Sequence, residues 1–137
     1  MFERILLAAD GSDESKKAIE TAIALATCSH GEILVVHVHE KERAPRVPDD
    51  IESRDEAVLL IEAVVDLVKK AGVDVVGDLR VARMDHVAKE ILDAARTYGA
   101  DVIVVGSRGL GPFSELLLGS VAHKVLQLAT CPVMVAR

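Results

Sequence analysis

Short apolar runs rich in β-branched residues alternate along this chain with segments whose apolar residues recur at helical spacing. Ile5-Leu6-Leu7-Ala8-Ala9 and Asp101-Val102-Ile103-Val104-Val105 are the plainest runs. Runs this short, with little polar alternation, are what strands buried on both faces of a parallel sheet require. Arg4 to Ala9 predicts the first strand. Ser12 or Asp13 then caps a helix that places Ala18, Ala22, Leu25 and Ala26 on one face, and Gly31 stops it. Glu32 to His39 predicts the second strand, and Lys41 to Asp50, with Pro45 and Pro48, a charged solvated loop. A long helix from about Ile51 to Ala71 turns Val58, Ile61, Val64, Val65 and Val68 inward, and Gly72 follows as its C-terminal cap.

From Val73 to Ala82 the pattern changes. Asp74, Asp78 and Arg80 alternate with Val73, Val75, Leu79 and Val81, so one face of this third strand is partly wet, as an edge position allows and a central one does not. Asp85 is expected to cap a third helix running to about Tyr98, which Gly99 ends. Asp101 to Val105 predicts the fourth strand, Ser120 the N-cap of a fourth helix through Leu126, and Cys131 to Val135 the last strand. Such βα repeats imply a parallel sheet with helices on both faces and right-handed crossovers. The expected fold is a Rossmann-like three-layer α/β/α sandwich, built as a single domain over residues 1–137.

Composition narrows the function. With half of 137 residues apolar, a sizeable core is available. Sixteen Lys and Arg against twenty-two Asp and Glu give a net charge of −6, which opposes binding to a phosphate backbone, and two Phe and one Tyr leave little to stack on bases. Nucleic acid is therefore not an expected partner. Cys28 and Cys131 form no Cys-x-x-Cys and are expected to be small buried hydrophobes. No apolar stretch has the length of a membrane span, and Met1-Phe2-Glu3-Arg4 runs straight into a strand, so the expectation is a cytoplasmic protein without a membrane partner.

The most specific chemistry lies late in the chain. Gly106-Ser107-Arg108-Gly109 follows the fourth strand, and Gly119-Ser120 opens the fourth helix. The first N–H groups of a helix lack intrahelical partners and lie at the positive end of its dipole, so an anion is favoured there. Neither Gly-x4-Gly-Lys-Ser/Thr nor Gly-x-Gly-x-x-Gly occurs; Ser114 stands where the latter needs glycine. The spacing Gly-x2-Gly-x9-Gly-Ser resembles that of the ATP-binding branch of the universal stress protein family. Ile5 to Ser12 resembles that family's first strand and turn, Leu34-Val35-Val36-His37-Val38 its second strand, and Cys131-Pro132-Val133-Met134-Val135 its last.

The resemblance implies a strand order 3-2-1-4-5, which puts a ligand crevice at the carboxyl ends of strands one and four. It also implies a bound ATP, or AMP or ADP, with Mg²⁺ bridging phosphates. Carried onto this sequence, the nucleotide contacts are Ala8, Asp10, Val38, Gly106, Arg108, Gly109, Gly119, Ser120, Val121 and Ala122. Asp10 would accept a bond from a ribose hydroxyl or the adenine amino group, its alternative role being to cap the first helix. The backbone of Val38 would read the adenine edge. Gly106, Gly109 and Gly119 would let the main chain approach ribose and phosphates, while Ser120 and the amides of Val121 and Ala122 face the terminal phosphates. Arg108 adds a positive charge or stays a solvated surface group. Two positions depart from the family: Ala122 has no hydroxyl where many ATP-binding relatives carry Ser or Thr, and Ala82-Arg83-Met84-Asp85 lacks the usual glycine-containing turn.

His37 and His39, two apart on a strand, share a face, yet no third ligand falls at metal spacing and a structural role is the safer reading. Ser120 and His123 lie on one helical face, so a slow ATPase or another hydrolase is the alternative to a regulatory stress-response module without catalytic residues. Against it, the serine lacks a strained nucleophile elbow. The apolar, uncharged Pro132 to Ala136 at a sheet edge points to a homodimer through the last strand. Any further protein partners are not specified by these residues.

Overall fold

In the computed structural model, which describes residues 1–41, 52–107 and 118–137, strand β1 (Arg4–Ala8) lies at the centre of a five-stranded sheet. Around it stand β2 (Glu32–Lys41), β3 (Val75–Arg83), β4 (Val102–Gly106) and β5 (Val133–Ala136) in the order β3-β2-β1-β4-β5. Every pairing is parallel. The expected Rossmann-like α/β architecture and strand order are therefore present. The helices are α1 (Asp13–Ser29), α2 (Arg54–Lys70), α3 (Val87–Tyr98) and α4 (Ser120–Leu128).

The period-two alternation of the strands sorts their side chains into two cores. Ile5, Leu7, Ile33, Val35, Val102 and Val104 face α1 and α2, meeting Ala18, Ala22, Ile61, Val64 and Val68. Leu6, Leu34, Val36, Ile103 and Val105 face the other way, onto Ala88, Ile91 and Ala95 of α3 and Ala122 and Val125 of α4. β1 has Ile5, Leu6 and Leu7 fully buried, as its run without polar residues requires. The edge strand β3 is only half-buried along most of its length, and Arg80 pairs there with Asp78 at 2.9 Å and Glu90 at 3.2 Å.

Several local expectations need correction. Asp85 does not cap α3: it lies inside a 3₁₀ turn, Met84–His86, and the N-cap position of α3 falls on His86, which makes no side-chain cap bond. Ser120 is not the cap of α4 but its first helical residue; the cap is Gly119, in extended conformation at φ −69° and ψ 164°. α1 closes through His30, left-handed at φ 56°, whereas Gly31 lies where a Cβ would stand 2.7 Å from the Phe2 carbonyl oxygen. α2 starts at Arg54 with Ser53 as its cap; Ile51, the expected start, lies outside the described residues. Neither cysteine is a buried hydrophobe, since Cys28 is exposed and Cys131 only half-buried. Cys28 lies off the buried stripe of α1, which runs through Ala18, Ala22 and Ala26, and Cys131 packs at the margin of the core just before β5.

Candidate functional site

The order of strands places the carboxyl ends of β1 and β4 side by side, and the chain leaves them in opposite directions, to α1 and toward α4. A crevice at such a reversal is where α/β sheets receive ligands. On the β1 side the turn is tightly organised. Asp10 Oδ1 accepts from the Ser12 N–H at 2.9 Å and from the Ser12 hydroxyl at 2.6 Å, and the Asp10 N–H donates to Ser15 Oγ at 3.1 Å. Ser12 Oγ in turn accepts from the Ser15 N–H at 3.1 Å, capping α1. Gly11 makes this turn at φ +83°, a conformation that suits glycine alone. Asp10 thus shares in opening α1 with one oxygen, while its Oδ2 has no hydrogen-bond partner among the described residues.

On the β4 side, Gly106 ends the strand and Ser107 is buried. A Cβ on Gly106 would lie 2.9 Å from the backbone carbon and oxygen of Glu14, so this glycine is needed for the first turn of α1 to pack against β4. That packing reason was not visible in the sequence, where the glycine reads as a sharp turn or a site of ligand approach. Ser107 then joins three elements: its N–H donates to the Ala136 carbonyl of β5 at 2.7 Å, and its carbonyl accepts from the Gly119 N–H at 2.7 Å. Gly119, Ser120, Val121 and Ala122 are thereby brought to the end of β4, with Ser120 exposed, Val121 half-buried and Ala122 buried. The amino end of α4, a helix of nine residues, thus lies beside the end of β4 and carries the positive end of the helix dipole. Arg108 and Gly109 lie outside the described residues, as does the charged loop beyond Lys41.

Ala8 and Val38 complete the β1 and β2 side, Ala8 half-buried and Val38 buried in the α3/α4 core. Next to them stands a group that the sequence did not reveal. His37 is buried, and its Nδ1 lies 2.7 Å from the Ala9 carbonyl oxygen while its Nε2 lies 2.8 Å from Glu52 Oε1. His39 Nδ1 meets the same carboxylate at 3.2 Å. The pairing of His37 and His39 on one face was legible; the carboxylate between them comes from the approach to α2, with no spacing rule to announce it. No group of three His, Cys, Asp or Glu among the described residues is arranged to hold a metal ion.

Ser120 and His123 are both exposed on α4, and no hydrogen bond joins them; the His123 N–H donates to the Gly119 carbonyl at 2.9 Å as an ordinary helical bond. The resolved shifts in acidity lie elsewhere. Burial, together with Glu32, pushes the Tyr98 hydroxyl up to about 12 at the amino end of the sheet, where the Arg4 guanidinium sits 4.5 Å over its ring. Burial likewise raises the Cys131 thiol, which disfavours its thiolate form. No helix among the described residues is long and apolar enough to cross a membrane.

Comparison with known proteins agrees with this architecture. The chain is 36% identical over 151 residues to the Universal stress protein YxiE of Bacillus subtilis, with both chains covered in full. Among solved structures it is similar to the Methanocaldococcus jannaschii protein MJ0577, at TM-score 0.82 and 26% identity over 99% of this chain and 96% of that one. It also shares the fold of the universal stress protein from Archaeoglobus fulgidus in complex with dAMP, at TM-score 0.75 and 24% identity over the whole of both chains. The model of the Universal stress protein family matches residues 1–137. With that match spanning the same strands, turn and helix that form the crevice, the chain belongs to the universal stress protein family.

Proposed function

We propose that this chain binds an adenine nucleotide, with ATP the first candidate and ADP or AMP in the same seat, along the crevice at the carboxyl ends of β1 and β4. The observation that carries this reading is the hydrogen bond from Gly119 to Ser107, which holds the amino end of α4 beside the end of β4. Phosphates placed there meet helical N–H groups and the Ser120 hydroxyl. An adenine nucleotide is also what the Archaeoglobus fulgidus protein of the same fold holds.

In this arrangement the Val38 backbone and Ala8 meet the base, and Asp10 Oδ2 accepts from the ribose or the adenine amino group. Gly106 lines the path to the phosphates, and Ser120, Val121 and Ala122 hold their far end; Arg108 and Gly109, the other contacts expected there, lie outside the described residues. Mg²⁺ would enter as a counter-ion carried on the phosphates, and Asp10, at the end of β1, commits one oxygen to Ser12. Among the described residues the site offers hydroxyl and amide donors but none placed to orient an attacking water, which suits a nucleotide-responsive stress module better than an ATPase. We include in this reading a cytoplasmic homodimer joined at β5, formed of single domains spanning residues 1–137.

The test is mild extraction of the purified protein and mass spectrometry of what it releases. An adenine nucleotide approaching one per chain is expected. A different small molecule, or none together with failure of ATP, ADP and AMP to bind on addition, overturns the proposal.

A further inference from the structure

The buried His37 and the half-buried Glu52 and His39 cluster next to the turn that follows β1, outside the family motif. His37 precedes Val38 on β2, and its Nδ1 reaches the carbonyl of Ala9, the residue before Asp10. The Ala9 N–H is held as well, donating to the Val36 carbonyl at 2.9 Å. A carbonyl oxygen can only accept, so Nδ1 carries a proton in this contact. Nε2 faces Glu52 Oε1 at 2.8 Å and Oε2 at 3.0 Å, and that contact needs a second proton between nitrogen and carboxylate. His39 Nδ1 donates to Glu52 Oε2 at 3.2 Å, leaving the carboxylate held from both sides. His37 is 4% exposed, so water does not replace these partners cheaply.

Resting on the nucleotide reading above, we propose that His37 and Glu52 are positioning residues that share one proton and clamp the Ala9–Asp10 turn against β2, so that nucleotide binds more weakly once that proton leaves. The step balances simply. With the proton present, the His37 ring donates to Ala9 and to Glu52 together. When it leaves for solvent, a bare Nε2 lone pair faces a carboxylate, the two repel, and the approach to α2 no longer braces the ring against Ala9. Among the described residues, Asp10, Asp78, Arg80, Asp55 and Glu56 do not supply the missing proton. Beside Ala9, Asp10 is turned to Ser12. On β3 the register partners of His37 and His39 are the apolar Leu79 and Val81, and the flanking Asp78 and Arg80 pair with each other. Asp55 and Glu56 in the first turn of α2 are exposed.

The experiment compares wild type with Glu52→Gln and Glu52→Ala. An amide can donate to a neutral Nε2 while its oxygen accepts from His39, so Glu52→Gln keeps the clamp without the shared proton; Glu52→Ala removes it. ATP affinity is measured by calorimetry from about pH 6 to about pH 8, the range in which histidines change charge. The nucleotide's own titration is common to all three proteins and cancels in their comparison. Wild type should weaken by about fivefold or more relative to Glu52→Gln as pH rises. Glu52→Ala should be weaker than Glu52→Gln by a similar factor at every pH. Superimposable pH profiles for wild type and Glu52→Gln overturn the proposal.

A second readout needs no nucleotide. Amide exchange protection at residues 9–12 and 38 should fall with rising pH in wild type, stay constant in Glu52→Gln, and be low throughout in Glu52→Ala. If this pattern appears and no adenine nucleotide binds, the clamp stands and the nucleotide reading fails. If protection is the same in all three proteins, the clamp fails whatever binds.

Discussion

Ser12 and Ser120 both begin helices in this chain and carry different duties. Ser12 is buried, accepts the Ser15 N–H and donates to Asp10, so removing its hydroxyl leaves a helical N–H without its cap and Asp10 Oδ1 with the Ser12 N–H but one donor fewer. Ser12→Ala should cost about 1–2 kcal/mol of stability, the upper part of the range for N-cap loss. Ser120 is exposed and follows the cap, so Ser120→Ala should stay within about 0.5 kcal/mol of wild type. Equilibrium urea unfolding followed by circular dichroism separates the two, and equal losses would contradict these assignments. At this scale the sequence was read unevenly. Ser12 was legible because serine followed by an acidic first turn is a strong capping signal. In Gly119-Ser120 either residue can cap, and only the bond from Gly119 to Ser107 decides it. The packing of Gly106 on Glu14 and the bond of His37 to Glu52 depend on distant segments meeting, which local spacing does not encode.

Among the elements, β5 lies at one edge of the sheet. Ile103 and Ser107 of the β4 side donate to Pro132 and Ala136, so by alternation Val133 and Val135 turn their N–H and C=O groups to the free edge. Val133, Met134 and Val135 are only half-buried, and Leu126 and Leu128 of α4 are exposed nearby in sequence. If two copies pair along this edge, Val135→Pro removes an outward donor while sparing the ladder to β4. Light scattering after size exclusion should give a dimer for wild type and a monomer of unchanged circular dichroism for the variant. A wild-type monomer that stays soluble at micromolar concentration would refute the interface. The elements themselves were largely legible, because unbroken apolar runs and helical spacing leave few alternatives in β1, β4, α1 and α2. Less legible was the entry to α3, where Asp85 looked like a cap and a 3₁₀ turn intervenes; such turns have no strong hydrophobic period to mark them.

For the whole molecule, alternation of strand and helix sufficed to predict a parallel sheet covered on both faces, but not the order of its strands. That order came from family resemblance, and it matters because it alone brings Asp10, Gly106 and Gly119 to one crevice. The cradle can be challenged without disturbing the fold. Gly119 sits at φ −69° and ψ 164°, backbone that valine also adopts, whereas a valine side chain at the mouth of α4 competes for the space assigned to phosphate. The decisive measurement is titration calorimetry of ATP into wild type and Gly119→Val, with circular dichroism recorded for both. Binding by wild type, and none by a variant whose spectrum matches it, is the predicted result; equal affinity in the two proteins would contradict the account.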